Sequence, residues 1–204
     1  MSLRKDPINM IITGVGGQGN LLISRLIGQA LIDKGYSVTV GETYGASQRG
    51  GSVASHVRIS KETLYGALIP EGHADIVLGL EPLESLRILT LFGNEHTSVV
   101  SNTRPVYTIA VALGEAEYPT LEELKGSIAS LSRKAWYLDA SAIALEMGAP
   151  LLTNIVMTGA LIGTGLLPLH KGPFKEQLRL SFKKEQRTIN TVAFERGFSE
   201  AVGK

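Results

Sequence analysis

Ile8-Asn9-Met10-Ile11-Ile12-Thr13-Gly14-Val15-Gly16-Gly17-Gln18-Gly19-Asn20 is the stretch that decides the fold. An apolar run leads into a glycine turn that satisfies G-x-G-x-x-G at Gly14, Gly16 and Gly19. Behind it Leu21, Leu22, Leu26, Ile27, Ala30 and Leu31 recur at three- and four-residue spacing, which predicts a helix from Asn20 to Lys34 stopped by Gly35. Strand, glycine turn and helix in that order build an anion site. Glycine lets the backbone take positive φ and lets a phosphate approach the free N–H groups, and the helix N-terminus adds about half a positive charge.

A second strand, Tyr36 to Val40, completes a β-α-β unit, and Glu42 stands at its tip. Dinucleotide-binding folds place there, about 20 residues after the glycines, the acid that holds a ribose. A stand-alone NAD(P)- or flavin-binding oxidoreductase is therefore one reading of this unit. The same glycines also serve tight helix-on-strand packing with nothing bound, and Glu42 is then an ordinary loop acid.

Composition bounds the rest. The chain has 204 residues, 44% of them hydrophobic, enough to bury a full core in one domain. Its 20 basic and 19 acidic residues nearly cancel, so no strong field draws in nucleic acid or an acidic membrane surface. No run of about 18 apolar residues is long enough to span a bilayer, and the N-terminus lacks the apolar core of a signal peptide, so a cytoplasmic protein is expected. The absence of cysteine rules out a disulfide framework, a thiolate nucleophile and a cysteine-ligated iron–sulfur cluster on this chain. His56, His73, His96 and His170 show no metal-site spacing, and no metal is expected.

Strands and helices keep alternating. Val53 to Ile59 has period-two polarity, a strand with one solvated or partner-covered face; Asp75 to Leu80 is a short apolar run typical of a strand buried on both faces. Pro82 opens a helix closed by Gly93-Asn94, and Thr97 to Ser101 forms the next strand. Thr120 and Glu123 make a capping-box pattern for a helix through Leu131. Ala135 to Leu138 is the last strand, and Asp139 caps a helix to Met147. Asn154 to Leu166 is apolar nearly all round, a buried helix, and helices opened by Pro173 and Lys184 follow. The expected architecture is a three-layer, Rossmann-like α/β fold: a mostly parallel sheet with helices on both faces, a core over about 6–150 and a helical C-terminal extension over about 151–204. Glu81 and Asn102, at carboxyl ends of strands, either face a ligand or cap the following turn. Asn154 either faces a ligand or caps its own helix.

The segment Glu42-Thr43-Tyr44-Gly45-Ala46-Ser47-Gln48-Arg49-Gly50-Gly51-Ser52 carries one cation among glycines and small hydrogen-bonding side chains, and reads as a second ligand- or partner-facing loop. Taken with Gly14 to Gly19, it resembles the γ component of the 2-oxoacid:ferredoxin oxidoreductases, most closely the small β subunit of the indolepyruvate type. The resemblance extends through Gln48-Arg49-Gly50-Gly51 and the strand to Ile59, Pro70, Ala74-Asp75, Asn154 and Gly159-Ala160, and covers most of the chain.

That resemblance implies one γ-type domain over residues 1–204, a subunit and not a complete enzyme. A larger partner subunit would hold thiamine diphosphate and the iron–sulfur clusters, coenzyme A would take the acyl group, and ferredoxin would take the electrons. The lack of cysteine and of a thiamine-binding Gly-Asp-Gly signature agrees with this division. The expected ligand-facing residues are Gly14, Gly16, Gly17, Gln18 and Gly19, with a phosphate or nucleotide in view, and Ser47, Gln48, Arg49, Gly50 and Gly51. Arg49 is suited to a bidentate pair with a carboxylate or phosphate. No residue is assigned a catalytic role. A homodimer of the isolated chain is expected if the strand Val53 to Ile59 and the apolar late helix leave surfaces that want covering.

Overall fold

The computed structural model describes residues 3, 5–44, 51–107 and 109–202. Strand β1 (Ile8–Val15) is buried along almost its whole length, and helix α1 (Asn20–Ile32) returns along one face of the sheet. β2 (Ser37–Tyr44) and β3 (Ser52–Ser60) follow, then β4 (Ile76–Gly79), α2 (Pro82–Phe92) and β5 (Ser98–Asn102). A short helix α3 (Ile109–Ala112) precedes α4 (Leu121–Ser130), β6 (Lys134–Leu138) and α5 (Ala140–Glu146). The chain ends in α6 (Thr153–Gly163), α7 (Lys171–Ser181) and α8 (Lys184–Ala201).

The six strands lie in the order β2-β3-β1-β4-β5-β6. β1, β4, β5 and β6 are parallel neighbours, whereas β3 runs antiparallel to both β1 and β2. β1 and β2 therefore point the same way, as a right-handed β-α-β crossover requires, but with a strand inserted between them. Alternate residues feed opposite layers. Met10 and Ile12 face the larger core with Ile27 of α1, Ala144 of α5, Val156 of α6 and Phe174 of α7. Ile11 faces the smaller core with Ile88 of α2 and Ile128 of α4. Helices thus cover both faces, as the sequence predicts.

Local chemistry sets the boundaries. The capping box of α4 closes in both directions between Thr120 and Glu123, and Asp139 caps α5 through the Ala142 N–H at 2.8 Å. α6 is buried from Asn154 to Ile162 because α8 crosses it at backbone contact. A Cβ on Gly197 would sit 1.8 Å from the Val156 carbonyl, and one on Gly159 would sit 2.1 Å from that of Phe194.

The expected solvated face of the third strand is corrected by the fold. Residues 54–57 are buried, because the segment 61–74 straps across them. The Ile69 N–H donates to His56 Nδ1 at 3.2 Å, and the Arg58 guanidinium donates to the Gly66 and Leu68 carbonyls and lies 4.7 Å over the Tyr65 ring. Gly41 admits the strap, since a Cβ there would stand 2.6 Å from the Ala67 carbonyl. Residues 54–57 of the strand and the late helix are both covered from within the chain.

Candidate functional site

The glycine turn at the carboxyl end of β1 is built from main-chain and amide hydrogen bonds. Positive φ falls at Gly17 (101°) and Gly19 (87°), positions a side chain would strain. Gly14 is required by contact: a Cβ would stand 2.5 Å from Gln18 Oε1. The Gln18 side chain turns inward, with Oε1 accepting the Val15 N–H at 2.7 Å and Nε2 donating to the Leu80 carbonyl at 3.2 Å. It thereby ties the end of β1 to the end of β4.

That position carries weight in an open α/β sheet. After β1 the chain packs α1 on one face, and after β4 it packs α2 on the other, so the crevice between their carboxyl ends is the switch point where such sheets bind ligands. Gln18 fills part of it. The turn is also joined to the second loop: the Gly16 N–H donates to the Gly51 carbonyl at 2.8 Å. Ser47, Gln48, Arg49 and Gly50 lie outside the described residues, and so does the side chain of Tyr44.

Two cavities flank the turn. The larger, about 360 Å³, opens on the β3 side between Gly16, Gly17, Gly19, Asn20, Glu42 and Ser55. Asn20, which the sequence marks only as a helix start, is a structural anchor here. Its Nδ2 donates to the Ile12 and Val53 carbonyls, while its buried Oδ1 has no partner among the described residues. The smaller, about 160 Å³, lies on the β4 side between the turn, Ser141 and the start of α6.

Glu42 does not sit where a dinucleotide fold places its acid. β3 stands between β2 and β1, so Glu42 is two strands, about 10 Å, from the strand that carries the turn. With Gln18 across the crevice, the geometry disfavours the NAD(P) or flavin reading.

Of the other candidates, Glu81 is a cap and a clasp. Its Oε2 accepts the Glu84 N–H at 2.8 Å, and its Oε1 accepts from the Val106 N–H and the Tyr118 hydroxyl. Burial holds its carboxyl above the usual range and also pushes the Tyr118 phenol up. Asn102 accepts the Ala140 N–H at 3.0 Å and donates to the Leu80 carbonyl and Ser141 Oγ, so it positions α5. Asn154 is not the cap of α6, which begins at Thr153 after Leu152. Its amide packs against Gly19 instead, where a Cβ would stand 2.2 Å from Nδ2.

Among the described residues no group of His, Asp and Glu is placed to hold a metal ion. An iron–sulfur cluster does not fit this chain at all, since its thiolate ligands are missing from the sequence.

The glycine turn and the end of the second glycine segment thus meet at the carboxyl edge of a mostly parallel sheet. The profile of the pyruvate ferredoxin/flavodoxin oxidoreductase family matches residues 9–200, and the chain belongs to that family. It is 42% identical over 194 residues to the indolepyruvate oxidoreductase subunit IorB of Thermococcus kodakarensis, covering 95% of each chain. A keto/oxoacid ferredoxin oxidoreductase γ subunit from Geobacter sulfurreducens shares the fold, with TM-score 0.67 and 21% identity over 95% of this chain and 98% of that one. So does 2-oxoglutarate:ferredoxin oxidoreductase from Magnetococcus marinus, determined with 2-oxoglutarate, coenzyme A and succinyl-CoA bound. There the TM-score is 0.73 at 22% identity, over 97% of this chain and 31% of that one. Relatives thus carry this fold both as a separate subunit and as a third of a longer chain.

Proposed function

We propose that this chain is the small subunit of a thiamine diphosphate-dependent 2-oxoacid:ferredoxin oxidoreductase that acts on indolepyruvate or a related arylpyruvate in the cytoplasm. It works as one domain beside a larger subunit that carries the thiamine and the clusters. Thiamine diphosphate supplies the carbanion chemistry of decarboxylation; the acyl product passes to coenzyme A and the electrons to ferredoxin.

The observation that carries this reading is the bond between the Gly16 N–H and the Gly51 carbonyl, 2.8 Å, which brings both glycine loops to one edge of the sheet beside the larger cavity. The identity with an indolepyruvate oxidoreductase subunit over nearly the whole chain supports the substrate class. In this role Gly14, Gly16, Gly17, Gln18 and Gly19 hold the shape of the edge, and the Gly17 N–H, which has no partner among the described residues, is offered to an anion. Ser47, Gln48, Arg49, Gly50 and Gly51 face the partner's active site, with Arg49 bound to a carboxylate or phosphate there.

Co-expression with the larger subunit tests the assignment. The complex should reduce ferredoxin with indolepyruvate and coenzyme A, and neither subunit should do so alone. Calorimetric titration of the isolated chain with NAD(H) and FAD provides the opposing result: submicromolar binding of either would falsify the subunit reading.

A further inference from the structure

We propose that β2 pairs with β2 of a second copy of this chain, antiparallel about a two-fold axis, so that two six-stranded sheets become one continuous sheet. The surface is distinct from the carboxyl edge, and the inference goes beyond the subunit assignment.

The first observation is where the main chain of β2 points. The Gly16 N–H bonds the Gly51 carbonyl, and these two residues continue the register of β1 on β3. Bonded pairs recur at every second residue of an antiparallel ladder, so Val53, Ser55, Val57 and Ile59 spend their N–H and C=O groups on β1. Ala54, His56, Arg58 and Ser60 therefore bond to β2, through Thr43, Gly41, Thr39 and Ser37. The far side of β1 agrees, because there the Asn9 and Thr13 carbonyls accept from the Asp75 and Leu80 N–H groups. Val38 and Val40 are left with N–H and C=O groups directed away from β3, where β2 has no neighbouring strand among the described residues.

The second observation is that nothing in β2 defends this edge. Natural edge strands are kept from pairing by shortness, a bulge, a proline or a lysine. β2 is eight residues long, pairs with β3 without a break, and contains no proline, lysine or arginine. β6, at the opposite edge, is five residues long and begins with Lys134, whose ammonium lies 4.5 Å over the Trp136 ring. Val38 and Val40 pack toward Gly28 of α1 and line a groove of about 440 Å³ between α1 and α7, where Leu22 and Ile32 are exposed.

Charge selects a second copy in antiparallel register. Glu42 is the one charged residue of β2 and stands toward one end of it. With Val38 opposite Val40 of the second copy, two β-branched pairs form on the α1 face, and Thr39 meets its own counterpart on the other. Glu42 then lies opposite Tyr36 and diagonal to the exposed Lys34 of the second copy, and the two-fold axis repeats the pairing. The two Glu42 carboxylates are held about 20 Å apart along the strands, beyond the screening length of about 8 Å. A pairing centred on Glu42 would set them side by side. The two carboxyl edges face opposite ways in this dimer, so each stays open to a larger subunit.

Sedimentation velocity of the full chain from about 1 µM to about 1 mM, the span of moderate to weak association, should show a monomer–dimer equilibrium. In nitrogen-15-labelled chain the Val38 and Val40 amides should exchange about tenfold more slowly or better as dimer forms, while Thr39 and Gly41, already bonded to β3, hold steady. Val40→Pro removes an outward N–H and no bond to β3, and should weaken dimerisation about tenfold or more in a folded chain. Should that variant fail to fold, Lys34→Glu, which sets an acid beside Glu42 of the second copy, should weaken it severalfold. A chain that stays monomeric to about 1 mM, a dimer whose Val38 and Val40 amides exchange at the monomer's rate, or undiminished dimerisation of the folded variant would each overturn the proposal. Protection of these amides only in complex with the larger subunit would overturn it too, by giving the edge to that subunit. A complex that reduces ferredoxin around a small chain with an unpaired β2 defeats this inference alone and leaves the subunit assignment standing.

Discussion

Gln18 is the residue at which the ligand reading and the structural reading of the glycine turn divide. Its amide bonds the Val15 N–H and the Leu80 carbonyl, so its first duty is to lock the ends of β1 and β4 together. Gln18→Leu should lower stability by about 1–3 kcal/mol by orphaning both groups, seen as a drop in the urea midpoint. Gly19 carries the matching constraint from the backbone side, with φ of 87° and Asn154 Nδ2 against its Cα. His56 shows how burial writes a pH dependence. Its Nδ1 accepts from the Ile69 N–H, its Nε2 has no partner among the described residues, and burial lowers its pKa from the ordinary 6.5. The unfolded chain therefore takes up a proton below pH 6.5 that the folded chain refuses, and stability falls as pH drops through that value. The fall in stability on acidification should flatten in His56→Gln, which urea unfolding across pH 5 to 7, roughly the range where an ordinary histidine titrates, would show.

At the scale of elements, the α6–α8 crossing rests on Gly159 and Gly197. Gly197→Ala must push the helices apart and should cost about 2 kcal/mol or more in thermal or urea unfolding. Gly126, exposed in α4 with open space around its Cα, makes the contrast: Gly126→Ala should stabilise by about 0.5–1 kcal/mol. Elements of this kind were legible in the sequence because their signals are local. Thr120 with Glu123, Asp139, Pro82 and the glycine stops each act within a few residues, and the structure places helix boundaries at or near them. The pairing of β3 was not legible. Its period-two pattern marks a strand, but nothing in Val53 to Ile59 says that it slots between β1 and β2, or that residues 61–74 will cover its polar side. That cover is made by long-range bonds from Arg58 and His56, which leave no periodic trace.

At the scale of the whole molecule, the carboxyl edge of the sheet gathers the glycine turn, Gly51, Glu81, Asn102 and the start of α6. The sequence marked this edge through its two glycine segments, while the contributions of Ser141 and Asn20 depend on partners far along the chain. An activity completed by another subunit should respond to this edge without a change in the fold. Arg49→Ala should keep the thermal midpoint of the isolated chain and lower turnover of the reconstituted complex. Full activity of that variant with every 2-oxoacid tried would remove Arg49 from the site.

The inserted strand also has a consequence for how the chain comes together. β1, α1 and β2 form a crossover with a gap one strand wide, and the filler, β3, is made only after them. Neither β1 nor β2 has its β3 neighbour until the chain as far as residue 60 is available. β2 and β3 pair antiparallel in unbroken register from Ser37 with Ser60 to Tyr44 with Val53, so the strand that fills the gap is also the sequence neighbour of one of its walls. The step that completes this side of the sheet is thus local in sequence, although the gap it fills is opened by a crossover.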